Sequence, residues 1–131
     1  MRRMMQFAAA FLLGGVTLAL ALDLQSAKSN PKDPTVLAPG MYRVVLENEH
    51  LRVIDYRLKP GEKEPMHSHP KGVFVYYFTD AATRGNIENG EPSGRHNKEG
   101  DVVWRDPVTH IAENIGHAEI HQLLVGTQGF L

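Results

Sequence analysis

The sequence predicts an all-β protein built as a small antiparallel barrel or sandwich. Three observations carry that prediction. Short β-rich stretches recur after residue 40, turn residues separate them, and no later stretch keeps a helical period of useful length. Residues 42–46 and 51–58 (YRVVL and LRVIDYRL) form the first two stretches, joined by the polar turn 47–50. Charged and apolar residues alternate in the second, as expected of a half-buried strand. Lys59-Pro60-Gly61-Glu62 is a turn, with proline and glycine supplying its restricted dihedrals. Residues 73–79 (VFVYYFT) are a nearly continuous β-branched and aromatic run, and Asn89-Gly90 is a strong hairpin signal. Residues 101–105, 108–112 and 119–127 complete the series, which suits a sandwich or barrel.

At 131 residues the chain has room for one domain. Its formal charge is −1, and beyond Arg2-Arg3 there is no basic run, so no nucleic-acid partner is expected. It contains no cysteine, which excludes disulfides, thiolate metal sites, cysteine nucleophiles and a lipid-modified cysteine. The N-terminus reads as an address. Met1-Arg2-Arg3 precedes an uncharged apolar run over residues 7–22, and Ala19-Leu20-Ala21 has the small-residue spacing of a cleavage site. Residues 1–21 are therefore expected to be a signal helix that is removed, with an uncleaved anchor as the alternative. The mature protein is expected in the periplasm or secreted, with no membrane contact after cleavage. Residues 22–40, rich in Pro, Ser, Asn and Asp, suit an extended linker or N-terminal arm, leaving 41–129 as the barrel.

With cysteine absent, the chemistry is sought among the seven histidines. His67-Ser68-His69 opens a β segment, and side chains two apart on a strand share a face, so both imidazoles project together. A third nitrogen from a distant strand, for which His110 is the candidate, would make an open metal site with room for water or substrate. Taken alone, an H-x-H pair on a surface strand is usually two solvated histidines.

Two spacings resemble the motifs of the cupin superfamily. Gly61, five residues and then His67-Ser68-His69 are similar to its first motif. Gly100 through Pro107 to His110, then three residues and Asn114, are similar to its second. The resemblance covers roughly residues 41–127. It implies an antiparallel, jelly-roll-like cupin β-barrel in which His67, His69 and His110 bind a divalent transition metal (Fe, Mn, Zn, Ni or Cu), and a homodimer. Two departures stand out. Val73 and Phe74 occupy the positions where the first motif has a glutamate ligand, and Pro107-Val108-Thr109-His110 lacks the glycine of the second.

Three neutral imidazoles would leave a bound dication with its full charge, favouring an anionic ligand. The expected functions are a metal-dependent enzyme, oxygenase- or isomerase-like, on a small polar or anionic molecule; a non-catalytic module holding a small molecule or metal; or a structural oligomeric barrel with a degenerate site. Arg57 and Asp55 are candidates for the pocket, and Gln122 or His121 for approach to the metal. Trp104 reads as a packing residue of the barrel wall, and Asn114 as the residue that fixes the turn after the His110 strand. His50, His96 and His117 read as exposed.

Overall fold

The computed structural model describes residues 30–128; the expected signal helix lies outside them. One turn of helix, α1 (Pro34–Leu37), precedes nine strands: β1 (Tyr42–Glu47), β2 (Leu51–Leu58), β3 (His67–His69), β4 (Val73–Tyr77), β5 (Ala81–Ile87), β6 (Ser93–Asn97), β7 (Val102–Arg105), β8 (Val108–Asn114) and β9 (Ile120–Thr127). They form two antiparallel sheets, a five-stranded one ordered β1-β2-β9-β4-β7 and a four-stranded one ordered β3-β8-β5-β6. Among the described residues no helix is long and apolar enough to cross a membrane.

Alternation in the sequence becomes burial in the larger sheet. Ile54, Tyr56 and Leu58 of β2, Val73, Val75 and Tyr77 of β4, and Ile120 and Leu124 of β9 point inward and make up most of the core. Their neighbours along each strand point outward. The smaller sheet is more polar. β5 (AATRGNI) buries only Ala81 and β6 (SGRHN) buries nothing, so neither strand announces itself in the sequence, although the Asn89 turn between them does. Asn89 takes the left-handed conformation, with φ 60°, that hairpin turns require. Gly85 of β5 is fixed by packing, since a Cβ there would lie 1.9 Å from the Ile111 carbonyl oxygen of β8.

The segment expected to be an extended arm is tied down and partly helical. Asp33 caps α1 by accepting from the Thr35 N–H at 2.9 Å and receives the Arg52 guanidinium at 2.7 Å, joining the segment to β2. The Ser68 N–H donates to the Lys32 carbonyl at 2.9 Å, the Asn30 amide donates to the Ser68 carbonyl, and Lys32 pairs with Glu88. Asn114 closes the fold at the end of β8. It is 1% exposed, donates to the carbonyls of Leu58 (2.8 Å) and Ala118 (2.9 Å), and accepts from the Gly116 N–H (2.9 Å). Asn114→Ala orphans these backbone groups and is expected to lower stability by roughly 2–4 kcal/mol, read by urea unfolding.

Candidate metal centre

The site begins with a three-residue ladder. β3 pairs with β8 so that His67 lies opposite His110 and His69 opposite Val108. His67 and His69, two apart, share the inward face, and His110 meets them from the facing strand. One ring nitrogen from each histidine can be chosen so that all three lie within 4.8 Å of one another. The Nε2 atoms of His67 and His69 are 3.0 Å apart. Two bonds of about 2.1 Å to a common ion at a right angle would span about the same distance.

The tautomer of His67 follows from its other nitrogen. Nδ1 lies 2.9 Å from the Pro65 carbonyl, which can only accept, so Nδ1 carries the proton and Nε2 presents a lone pair to the site. All three imidazoles are held neutral. Burial lowers the pKa of His67. Burial, then the proximity of His67, takes His69 to about 4. His110 falls to about 3 through burial, the other two histidines, and the charges of Arg95 and Arg105. Neutral imidazole is the form that ligates metal.

His69 and His110 line a cavity of about 340 Å³ between the sheets, and His67, fully buried, stands behind them. Gln122 of β9 and Tyr77 of β4 line it, as do Arg95 of β6 and Arg105 of β7. Arg57 and Asp55 do not. They lie on the outer face of β2, where Arg57 pairs with Glu119 (2.9 Å) and Asp55 takes the His121 ring nitrogen at 2.6 Å. His121 is thereby placed away from the triad, while Gln122 faces in. Trp104 is 56% exposed on the outer face and reaches the cavity rim, so it is not a buried packing residue. His50, His96 and His117 are exposed.

No protein-family model and no curated protein matches the chain. Solved structures do. A cupin domain from Bordetella pertussis matches with a TM-score of 0.61 and 19% identity, covering 66% of this chain and 91% of that one. An RmlC-like cupin with a double-stranded β-helix fold from Methanocaldococcus jannaschii matches at 0.54 and 22%, covering 66% and 78%. An uncharacterised double-stranded β-helix protein from Klebsiella pneumoniae matches at 0.54 and 26%, covering 69% and 79%. The chain has the cupin fold.

The positions where the resemblance expects a glutamate are filled by Val73, buried in the core, and Phe74, exposed on the outer face. A carboxylate nevertheless stands behind the triad. Glu64, 2% exposed, accepts at Oε2 from the hydroxyls of Tyr42 and Tyr56 (3.0 Å from Tyr56), and its Oε1 lies 3.9 Å from His67 Nδ1. Burial raises its pKa to about 7, against the opposing pull of the two tyrosine hydroxyls. The Tyr42 hydroxyl also lies 3.1 Å from His67 Nε2, so it can donate to an ionised Glu64 or, when Glu64 carries the proton, to the imidazole. Three neutral imidazoles with ring nitrogens within 4.8 Å of one another are a donor set that fits a metal.

Sequence alternation hid Glu64. Residues 64 and 67 should face opposite sides of a strand, yet the register along β8 slips between them. Glu64 N–H bonds to the Ala112 carbonyl and Lys63 bridges to Glu113, whereas His67 pairs with His110. The extra residue sits at Pro65-Met66, a bulge that turns the carboxylate to the same side as the imidazoles.

The depressed histidines set a pH dependence in the metal-free protein. An unfolded imidazole takes up a proton near 6.5, while folded His110 stays neutral to about 3. Its contribution to stability is complete above pH 6.5 and lost as pH falls towards 3. Glu64 acts in the opposite sense, its contribution present below 4.5 and lost as pH rises through about 7. The comparison of wild type with His110→Gln cancels Glu64 and isolates His110. The variant should gain on wild type by roughly 1 kcal/mol per pH unit below 6.5 in urea unfolding of metal-free protein.

Proposed function

We propose that this cupin holds one divalent transition metal through His67, His69 and His110 and uses it to bind and polarise a small polar or anionic molecule, as a metal-dependent enzyme of oxygenase or isomerase type. The observation that carries this reading is the convergence of three neutral imidazoles, two of which line the cavity between the sheets. An all-imidazole donor set suits Fe, Zn, Ni or Cu better than Mn, which prefers oxygen ligands. Three protein ligands leave coordination positions open for a water or the bound molecule. The metal, when bound, supplies Lewis-acid polarisation or, if iron, oxygen chemistry.

The chain's own residues supply the rest. Pro65 orients His67, and the Tyr42 hydroxyl bridges Glu64 and His67. Glu64, near 7, is poised to take or return a proton at Oε2 through Tyr42 at neutral pH. A non-catalytic module that holds a small molecule or metal uses the same residues. Glu64 lines the cavity, yet it is 2% exposed and its Oε2 is engaged by two tyrosine hydroxyls, which favours that second reading. Turnover separates the two: oxygen uptake by iron-loaded protein with small carboxylates is expected for the enzyme and absent for the module.

The pattern of residues 1–21 supports export to the periplasm or beyond. The outer face of the larger sheet supports a homodimer. Leu46, Val53, Val125, Phe74 and Trp104 are successive cross-strand neighbours over all five strands, an apolar row of the kind that another surface covers. A second copy presenting the same row would cover it isologously.

Metal analysis of the purified mature protein is expected to give about one equivalent per chain, lost in His67→Ala and His110→Ala. Sub-stoichiometric metal that both variants retain would sink the site and leave the structural barrel. Light scattering is expected to show a dimer that Phe74→Glu converts to monomer with its metal content unchanged.

A further inference from the structure

The cavity is lined by two arginines, Arg95 and Arg105, that make no ion pair among the described residues, although Glu64 and Asp106 also line it. Arg105 projects inward from β7 and spends only Nη2, on the Tyr77 hydroxyl and the Asn97 side-chain oxygen, each at 3.2 Å. Its Nη1 and Nε make no hydrogen bond among the described residues, and neither is sealed from solvent without a partner. Arg95, on the inward side of β6 opposite Thr83, makes no hydrogen bond or ion pair among the described residues. It is exposed and lines the cavity, so it stands where the cavity meets solvent. The other arginines of strands β1, β2 and β5 behave differently: Arg43, Arg52, Arg57 and Arg84 all reach an acidic residue. Arg95 and Arg105 lie within electrostatic range of His110, so their charge and the triad act on one volume.

We infer that Arg95 and Arg105 are the anion-recognition element of this cavity, and that its ligand is a small organic carboxylate whose carboxylate end they bind while its other end faces the His67, His69 and His110 triad. The inference rests on the proposed reading of the cavity as the ligand site and names the class of molecule it takes. The planar fork of a guanidinium matches the two oxygens of a carboxylate. Val73, Val75 and Leu124 line the same cavity. These apolar walls suit a carbon skeleton and offer nothing to an inorganic anion. Asn97 fixes the Arg105 fork without neutralising it, which keeps the charge available. Arg95 comes from β6, outside both cupin-like spacings, and Arg105 lies within the second but is not one of the residues that carry its likeness.

Calorimetric titration tests this on the mature protein, metal-free and zinc-loaded, with acetate, succinate and benzoate as probes. Benzamide, succinamide and inorganic phosphate are the comparison arms. At least one carboxylate is expected to bind, with its amide and phosphate at least about tenfold weaker. Arg95→Gln and Arg105→Gln should each lose about tenfold or more in affinity. Arg105→Lys, which keeps the charge and loses the fork, should fall between. Zinc content and thermal stability of Arg95→Gln should match wild type, which controls for folding. The inference is overturned if no carboxylate binds, if amide or phosphate binds as tightly as the acid, or if both glutamine variants bind like wild type. Failure of the metal reading looks different. Zinc would not bind, yet the carboxylate would still bind in an arginine-dependent way, and the inference would stand.

Discussion

The site depends on one short run of antiparallel pairing, the passage of residues 61–69 along β8. Its register puts His67 against His110, and its one-residue slip at Pro65-Met66 brings Glu64 to the same side. Three imidazoles and a carboxylate are gathered by backbone hydrogen bonds before any metal is considered. The ladder is reinforced at Ser68, whose hydroxyl meets that of Thr109 at 2.6 Å. A change of register here would turn both histidines of β3 out of the cavity, since strand faces alternate with period two.

The price of gathering these groups is electrostatic. Burial of His67, His69 and His110 makes protonation unfavourable, and burial of Glu64 makes ionisation unfavourable. Both shifts drive the cluster towards neutral forms, so the cavity carries little charge of its own near the triad. The positive charge sits instead on Arg95 and Arg105. On the proposed reading, a cation drawn to the imidazoles and an anion drawn to the guanidiniums would share this cavity, giving it a polarity along which an asymmetric molecule can be oriented.

Much of the larger sheet was legible because its strands alternate between a buried and an exposed face. The alternation in β2 and the β-branched run of β4 are written in the sequence, and so is the shared face of His67 and His69. β5 and β6 were not, because a polar strand such as SGRHN that buries nothing leaves no periodic trace. Arg95 and Arg105 were missed for the same reason: their inward direction is set by pairing with strands distant in sequence. Glu64 was missed because a bulge cancels the very alternation used to read faces. Arg57 and Asp55 were candidates by charge alone, and the outward face of β2 removes them.

β3 is the edge strand of the smaller sheet, and the segment before the barrel covers that edge through Lys32 and Asn30. What reads in the sequence as connecting chain is therefore part of the barrel wall. A chain trimmed to begin at the first strand would keep every histidine and yet leave the backbone of Ser68 open to pairing with another molecule. Sheet edges of that kind recruit strands from neighbours. Among the described residues this wall already includes Asn30, twelve residues ahead of the first strand at Tyr42.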